Sequence, residues 1–262
     1  MRPKFVYLTP DQNAYKPILK GEWEIKEVKC TEQTSYWTAD HPYANDEGFE
    51  ELKTLISKYP ICKGNNDDSI IHPNPFQTIH VPMWIAGPVC ELVKSFYIEN
   101  MNPHIHEPNF MEWGNVYERG REHPIDAYRI PHIDSERGMI CNLWFTDHIE
   151  GTSGTELYEY KGKMIKNMYD FMVDETHPLY KEWNSNDLTY RLETWQNFSK
   201  EEAEHWGFEQ VGFAPSKHGS ATFYQANTCH RPYLDETVDF RWSHTFCFMH
   251  KDLPVTSLLG RF

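Results

Sequence analysis

Near residue 125 the chain changes its hydrophobic period, and that switch limits the folds open to it. Before it, Phe49, Leu52, Leu55, Ile56 and Tyr59 fall at helical spacing over 47–59, and Pro60 ends the run. Val89, Leu92, Val93, Phe96 and Tyr97 mark a second helix over 87–100, with Pro88 suited to its first turn. Residues 1–45 read as irregular, apart from an edge strand over Trp23–Val28, and 77–81 reads as a short strand. After the switch come short β-forming runs at 125–130, 139–146, 155–160, 168–173, 209–213, 220–225 and 238–249, parted by turns such as Gly151–Gly154 and Lys161–Gly162. Residues 174–206 form an insertion rich in aromatics and charge, closing with a capping box at Ser199–Glu202 that opens a short helix to Trp206. This order predicts one domain over 1–262: helical support over about 1–124, then a mainly β core over about 125–250, as a sandwich or small barrel.

Composition narrows the function. The formal charge is −14 with acidic and basic residues interspersed, which repels a phosphate backbone and makes nucleic acid an unfavoured partner. No apolar run of membrane-spanning length and no signal-peptide pattern is present. The six cysteines lack C-x-x-C spacing, which argues against a zinc ribbon or a disulfide scaffold and for reduced thiols in a cytoplasmic protein.

Chemistry concentrates in two places. At Pro131–His132–Ile133–Asp134, residues two apart on an extended chain project from one face, so His132 and Asp134 point the same way. An imidazole and a carboxylate make two thirds of the facial set, two histidines and one carboxylate, that holds non-haem Fe(II). Far downstream, His230 follows the strand ending at Gln225, and Pro232–Glu236 carries turn residues. If that turn closes an antiparallel pair, His230 lies opposite Phe240 or Arg241. Arg241 and Ser243 share a face, and a guanidinium fork beside a hydroxyl is a receptor for a carboxylate.

Over residues 125–250 this order resembles the 2-oxoglutarate/Fe(II)-dependent oxygenases, and most closely their prolyl-hydroxylase-like branch: His132, Asp134, then Gly154–Thr–Glu–Leu–Tyr158, His230, and Arg241–Trp–Ser243. The resemblance implies a double-stranded β-helix (a jelly roll, cupin-like). It implies Fe(II) on His132, Asp134 and His230, with 2-oxoglutarate held by Arg241 and Ser243 and aided by the Tyr128 hydroxyl. The implied activity is hydroxylation of an amino acid, a peptidyl side chain or a small metabolite by dioxygen (O2), releasing succinate and carbon dioxide. The carboxylate of Asp134 favours hydroxylation over halogenation, while desaturation and ring closure depend on substrate placement. Three readings stay open beside this one: a jelly-roll metalloenzyme that does not use 2-oxoglutarate, a non-enzymatic ligand-binding β-sandwich, and a nucleic-acid demethylase version of the same chemistry, which the −14 charge disfavours. Nothing in the chain specifies substrate identity or oligomeric state.

Other residues compete for these roles. His148 and Glu150 repeat the ligand spacing but run into the Gly151–Gly154 turn. His104 and His106 sit between prolines as surface histidines. His244 faces away from Ser243 and reads as structural, Cys229 as core. Arg231 and Arg129 read as solvent-facing or salt-bridged, and Trp183, Tyr190, Trp195 and Trp206 as core more than lid.

Overall fold

The computed structural model describes residues 18–56, 77–80, 83–100, 110–120, 131–134, 138–147, 149–162, 200–235, 237–238 and 240–250. The strands expected at 125–130 and 168–173 lie outside these residues, as do Tyr128, Arg129, His104, His106, His148, Trp183, Tyr190 and Trp195.

In chain order the elements are β1 (Lys26–Lys29), β2 (Ser35–Asp40), α1 (Asp46–Ile56), β3 (Gln77–His80), α2 (Met83–Asn100), β4 (Phe110–Gly120), β5 (Gly138–Trp144), β6 (Ser153–Tyr160), α3 (Lys200–His205), β7 (Phe208–Pro215), β8 (Ser220–Gln225), β9 (Cys229–Leu234) and β10 (Phe240–His250). Among the described residues they build a seven-stranded sheet ordered β1-β2-β8-β5-β10-β4-β3 and a three-stranded sheet ordered β7-β6-β9.

The pairing is nested. β4 pairs with β10, His132 bridges His230 on β9, β5 pairs with β8, and β6 pairs with β7, all antiparallel. First thus meets last and the middle closes as a hairpin, while the chain alternates between sheets. That is the connectivity of a jelly roll. β1 and β2 extend the large sheet beyond β8, and β3 extends it beyond β4. Two of these strands, β2 and β4, fall in the part read from the sequence as irregular or helical support. β2 carries Tyr36, Trp37 and Thr38, and β4 carries Phe110, Trp113, Val116 and Tyr117, but Gly and charged or polar residues break their alternation, and pairing with β8 and β10 fixes them as strands.

Period-2 alternation splits the large sheet into two faces. Met139, Cys141 and Leu143 of β5, Ala221 and Phe223 of β8, and Phe246 of β10 meet Phe49 and Leu52 of α1 and Val89, Val93 and Tyr97 of α2 in the main core. Asn45 caps α1 by accepting from the Gly48 amide at 2.8 Å, with Asp46 and Glu47 in its first turn. α2 starts one turn earlier than Pro88 suggests. The opposite face of the large sheet looks onto the small sheet, so β5 is buried at all seven positions. Within the described residues no helix is long and apolar enough to cross a membrane.

Candidate metal centre

Between the sheets the interior is polar. Ile140, Asn142 and Trp144 of β5, Thr222 and Tyr224 of β8, and Arg241, Ser243 and Thr245 of β10 alternate with the residues of the main core. Their contacts run across the register: Thr245 Oγ1 donates to Asn142 Oδ1 at 2.7 Å, Trp144 Nε1 to Thr222 Oγ1 at 3.1 Å, and Asn142 Nδ2 reaches the Tyr224 hydroxyl at 3.5 Å. Ser243 Oγ lies 3.4 Å from Thr245 Oγ1. A core closed only for stability would fill such positions with apolar side chains; a polar lining of this kind is what a binding site carries.

His132, Asp134 and His230 meet at one end of this interior. Each offers a ligand atom, and these atoms all lie within 4.8 Å of one another. His132 and His230 are held by reciprocal backbone hydrogen bonds, which set their rings 4.5 Å apart. Asp134 is placed by its own amide, which donates to the Ala226 carbonyl at 3.0 Å. Its Oδ2 is 3.3 Å from His230 Nε2 and its Oδ1 is 3.9 Å from His132 Nε2.

His230 Nδ1 lies 2.9 Å from the Thr228 carbonyl. A carbonyl only accepts, so Nδ1 carries a proton, and Nε2, the nitrogen on the Asp134 side, is the one placed to ligate a metal. Two imidazoles and a carboxylate suit a divalent transition ion bound at about 2 Å from each donor. Both histidines are buried, while Asp134 keeps a side-chain exposure of 27%, so the centre is reached from the Asp134 side.

Arg241 is a buried cation of the same interior. Its Nη1 donates to the Gly154 carbonyl, to the Tyr233 carbonyl at 3.3 Å and to Ser153 Oγ at 3.4 Å, and its guanidinium carbon lies 5.0 Å from the Trp144 ring. On β9, Tyr233 is three residues beyond His230, so roughly 10 Å of strand separates the metal ligands from the guanidinium. Gly154 has to lack a side chain, since a Cβ there would fall 2.5 Å from the Ala214 carbonyl oxygen.

No protein-family model matches the chain, and no curated protein matches it. Several solved structures are similar to it, three of them as follows. The epimerase SnoN, crystallised with Fe3+, alpha ketoglutarate and nogalamycin RO, gives a TM-score of 0.46 at 12% identity, over 84% of this chain and 82% of that one. HygX from Streptomyces hygroscopicus, with nickel, 2-oxoglutarate and hygromycin B bound, gives 0.42 at 12% identity, over 84% and 85%. A prolyl 4-hydroxylase from Phytophthora capsici gives 0.41 at 11% identity, over 83% of this chain and 59% of that one.

The route by which Arg241 reaches the site differs from the hairpin expected. Cys229–Leu234 is itself a strand of the small sheet, with His230 opposite Leu157, whereas β10 lies in the large sheet between β4 and β5. The turn at Asp235–Val238 crosses between the sheets, closed by Val238 N–H to the Asp235 carbonyl at 3.1 Å and by Thr237 N–H to Asp235 Oδ1 at 2.9 Å. Arg241 therefore reaches β6 and β9 from across the sandwich.

The competing residues take other places. Cys229 is fully buried and burial pushes its thiol well up, so it stays protonated on the face opposite His230. Arg231 forms a buried ion pair with Glu156 on that outer face. His244 is fully buried in the helix-facing core, Glu150 is exposed, and Trp206 is half-buried. Asn142, Thr222, Tyr224 and Thr245 were not legible as site residues. Their one sequence trace is a polar or hydroxylated residue at every second position of an otherwise bulky strand.

Proposed function

We propose that this protein is an Fe(II)- and 2-oxoglutarate-dependent oxygenase that hydroxylates an amino acid, a peptidyl side chain or a small metabolite. The observation carrying this reading is a His–Asp–His cluster and a buried arginine at opposite ends of one polar interior. Their separation suits 2-oxoglutarate. Four carbon–carbon bonds of about 1.5 Å fold to about 5 Å along the chain axis. Adding a coordinate bond of about 2 Å and a hydrogen bond of about 2.9 Å gives roughly the length of the gap.

His132, Asp134 and His230 would hold the ion on one face and leave its other side open. Thr228 keeps His230 in the ligating tautomer. Arg241 and Ser243 would take the distal carboxylate by charge-assisted hydrogen bonds, with Trp144 lying against the guanidinium and excluding water. Asn142, Tyr224 and Thr245 line the channel between these two ends. When bound, Fe(II) supplies the oxidative decarboxylation of 2-oxoglutarate by dioxygen and the hydrogen abstraction that leads to hydroxylation. Asp134 keeps a third protein donor on the ion, which favours oxygen transfer over halide transfer.

Anaerobic titration tests this. A visible charge-transfer band should appear when Fe(II) and 2-oxoglutarate are both present and with neither alone, and oxygen should then yield succinate. Fe(II) binding without any 2-oxoglutarate response would move the assignment to a jelly-roll metalloenzyme whose Arg241 anchors the substrate's own acid group.

A further inference from the structure

We propose that Glu159 selects a substrate bearing a positively charged nitrogen, an amine or a guanidinium; this rests on the oxygenase reading above and names the substrate class for that site. The argument starts from the alternation of β6. Glu156 and Tyr158 face outward, toward Arg231 and Phe208. Ser153, Thr155, Leu157 and Glu159 therefore share the inner face. Leu157 is directly opposite His230, so Glu159 is the same-face diagonal neighbour of that ligand, at a Cα separation of about 7–8 Å. Carrying the register one residue further sets Glu159 across from Thr228, the residue that orients His230.

Arg241 meets β6 at its other end, at Ser153 and Gly154. Along one strand face the order is thus anion clamp, metal ligands, carboxylate. With 2-oxoglutarate between the first two, Glu159 lines what remains for the substrate.

Glu159 is only 5% exposed, and neutral hydroxyls surround its carboxylate. Its Oε1 accepts from Thr34 Oγ1 at 3.0 Å and from Thr31 Oγ1. No described Lys, Arg or His forms an ion pair with the group; its recorded donors are these two threonine hydroxyls. Two neutral hydroxyls are weak compensation for a buried carboxylate, which is ordinarily matched by a cation. The hydroxyls come from the turn between β1 and β2, which sits close because Cys30 occupies the space over Gly212. A Cβ at Gly212 would lie 2.4 Å from Cys30 Sγ. Pinning that turn requires only an acceptor, which a glutamine carbonyl also supplies. The negative charge is what a cationic substrate explains.

The experiment compares wild type with Glu159→Gln, using L-arginine against L-citrulline, L-lysine against L-norleucine, and a short lysine-containing peptide against its acetylated form. Binding is read by thermal shift on anaerobic protein loaded with Fe(II) and 2-oxoglutarate, and turnover by succinate release. In wild type the cationic member of at least one pair should bind about 10- to 100-fold more tightly, the worth of a charge-assisted hydrogen bond. The free amino acids and the peptide distinguish the two sources of the cation. Glu159→Gln should erase the preference and leave 2-oxoglutarate affinity and the unliganded melting temperature unchanged. Cationic probes that bind no better than their neutral partners, whether both bind or neither does, overturn the proposal, as does a preference that survives Glu159→Gln. Loss of the oxygenase reading shows separately, as absence of the charge-transfer band and of succinate in every sample.

Discussion

His132 and His230 hold each other in register through the backbone: the His132 amide donates to the His230 carbonyl at 2.9 Å, and the His230 amide to the His132 carbonyl at 2.8 Å. Through this bridge the fold itself sets the two imidazoles, far apart in the chain, side by side. A metal then pays little to organise its site.

Because that bridge uses only main-chain atoms, His132→Ala or His230→Ala should leave the fold intact while removing a ligand. Iron affinity should fall by more than the roughly 100-fold seen when a supporting partner of a ligand is lost. Anaerobic Fe(II) titration checks this, and full occupancy in either variant would place the metal elsewhere.

Arg241→Ala should weaken 2-oxoglutarate binding by about 30-fold or more, equivalent to about 2 kcal/mol or above for a buried charge partner, with iron binding kept. Arg241→Lys should recover little of this, since an ammonium cannot reproduce the planar fork. Both variants should also melt lower, because Nη1 joins β10 to the Gly154 and Tyr233 carbonyls. Calorimetric titration of 2-oxoglutarate reads the first effect, and a thermal melt the second.

His244 predicts the acid response. Burial lowers its imidazole from 6.5 to about 3, and neither ring nitrogen has a hydrogen-bond partner among the described residues. The unfolded chain takes up this proton near pH 6.5 while the folded chain resists until about pH 3, so between these values the unfolded state binds more protons. Its contribution to stability is complete above about pH 6.5 and falls by up to about 1.4 kcal/mol for each unit of acidification in that window. His244→Phe, in contact with Phe246 at 4.0 Å between ring centroids, should flatten the slope. Urea unfolding at several pH values decides it, and parallel slopes for the two proteins would refute the assignment.

On the outer face of the small sheet Glu156 binds Arg231 and accepts the Tyr158 hydroxyl at 2.7 Å. Burial pushes the Tyr158 hydroxyl well up, so it remains a donor. Glu156→Ala strands a buried guanidinium and should cost about 3–5 kcal/mol, whereas replacing both Glu156 and Arg231 by methionine should cost much less. Denaturant unfolding of the single and double variants measures the difference, and equal losses would refute the stranded-charge account.

The sequence was most informative where chemistry depends on local spacing. Two residues on an extended chain share a face wherever that chain lies, so His132 with Asp134, and Arg241 with Ser243, were legible as pairs. Helical periodicity located α1 and α2 for the same reason, since it is set within a single element. β4 escaped because its pattern is broken by Gly114 and by charge, and β9 because Pro232 disguises a strand as a turn. Each is a strand by virtue of the neighbour it pairs with.

What the amino-acid order alone determined, then, is which donors this protein owns and which of them travel together on one face. The tertiary structure decided which donors meet: Arg241 and His230 on opposite sheets, Glu159 beside His230, Glu156 against Arg231, and His244 sealed among aromatics. The reason is physical. A period-2 pattern fixes which way a side chain points, but strand pairing is made by backbone hydrogen bonds that are alike for nearly every residue, so the partner is settled only when the whole set of strands closes around one interior.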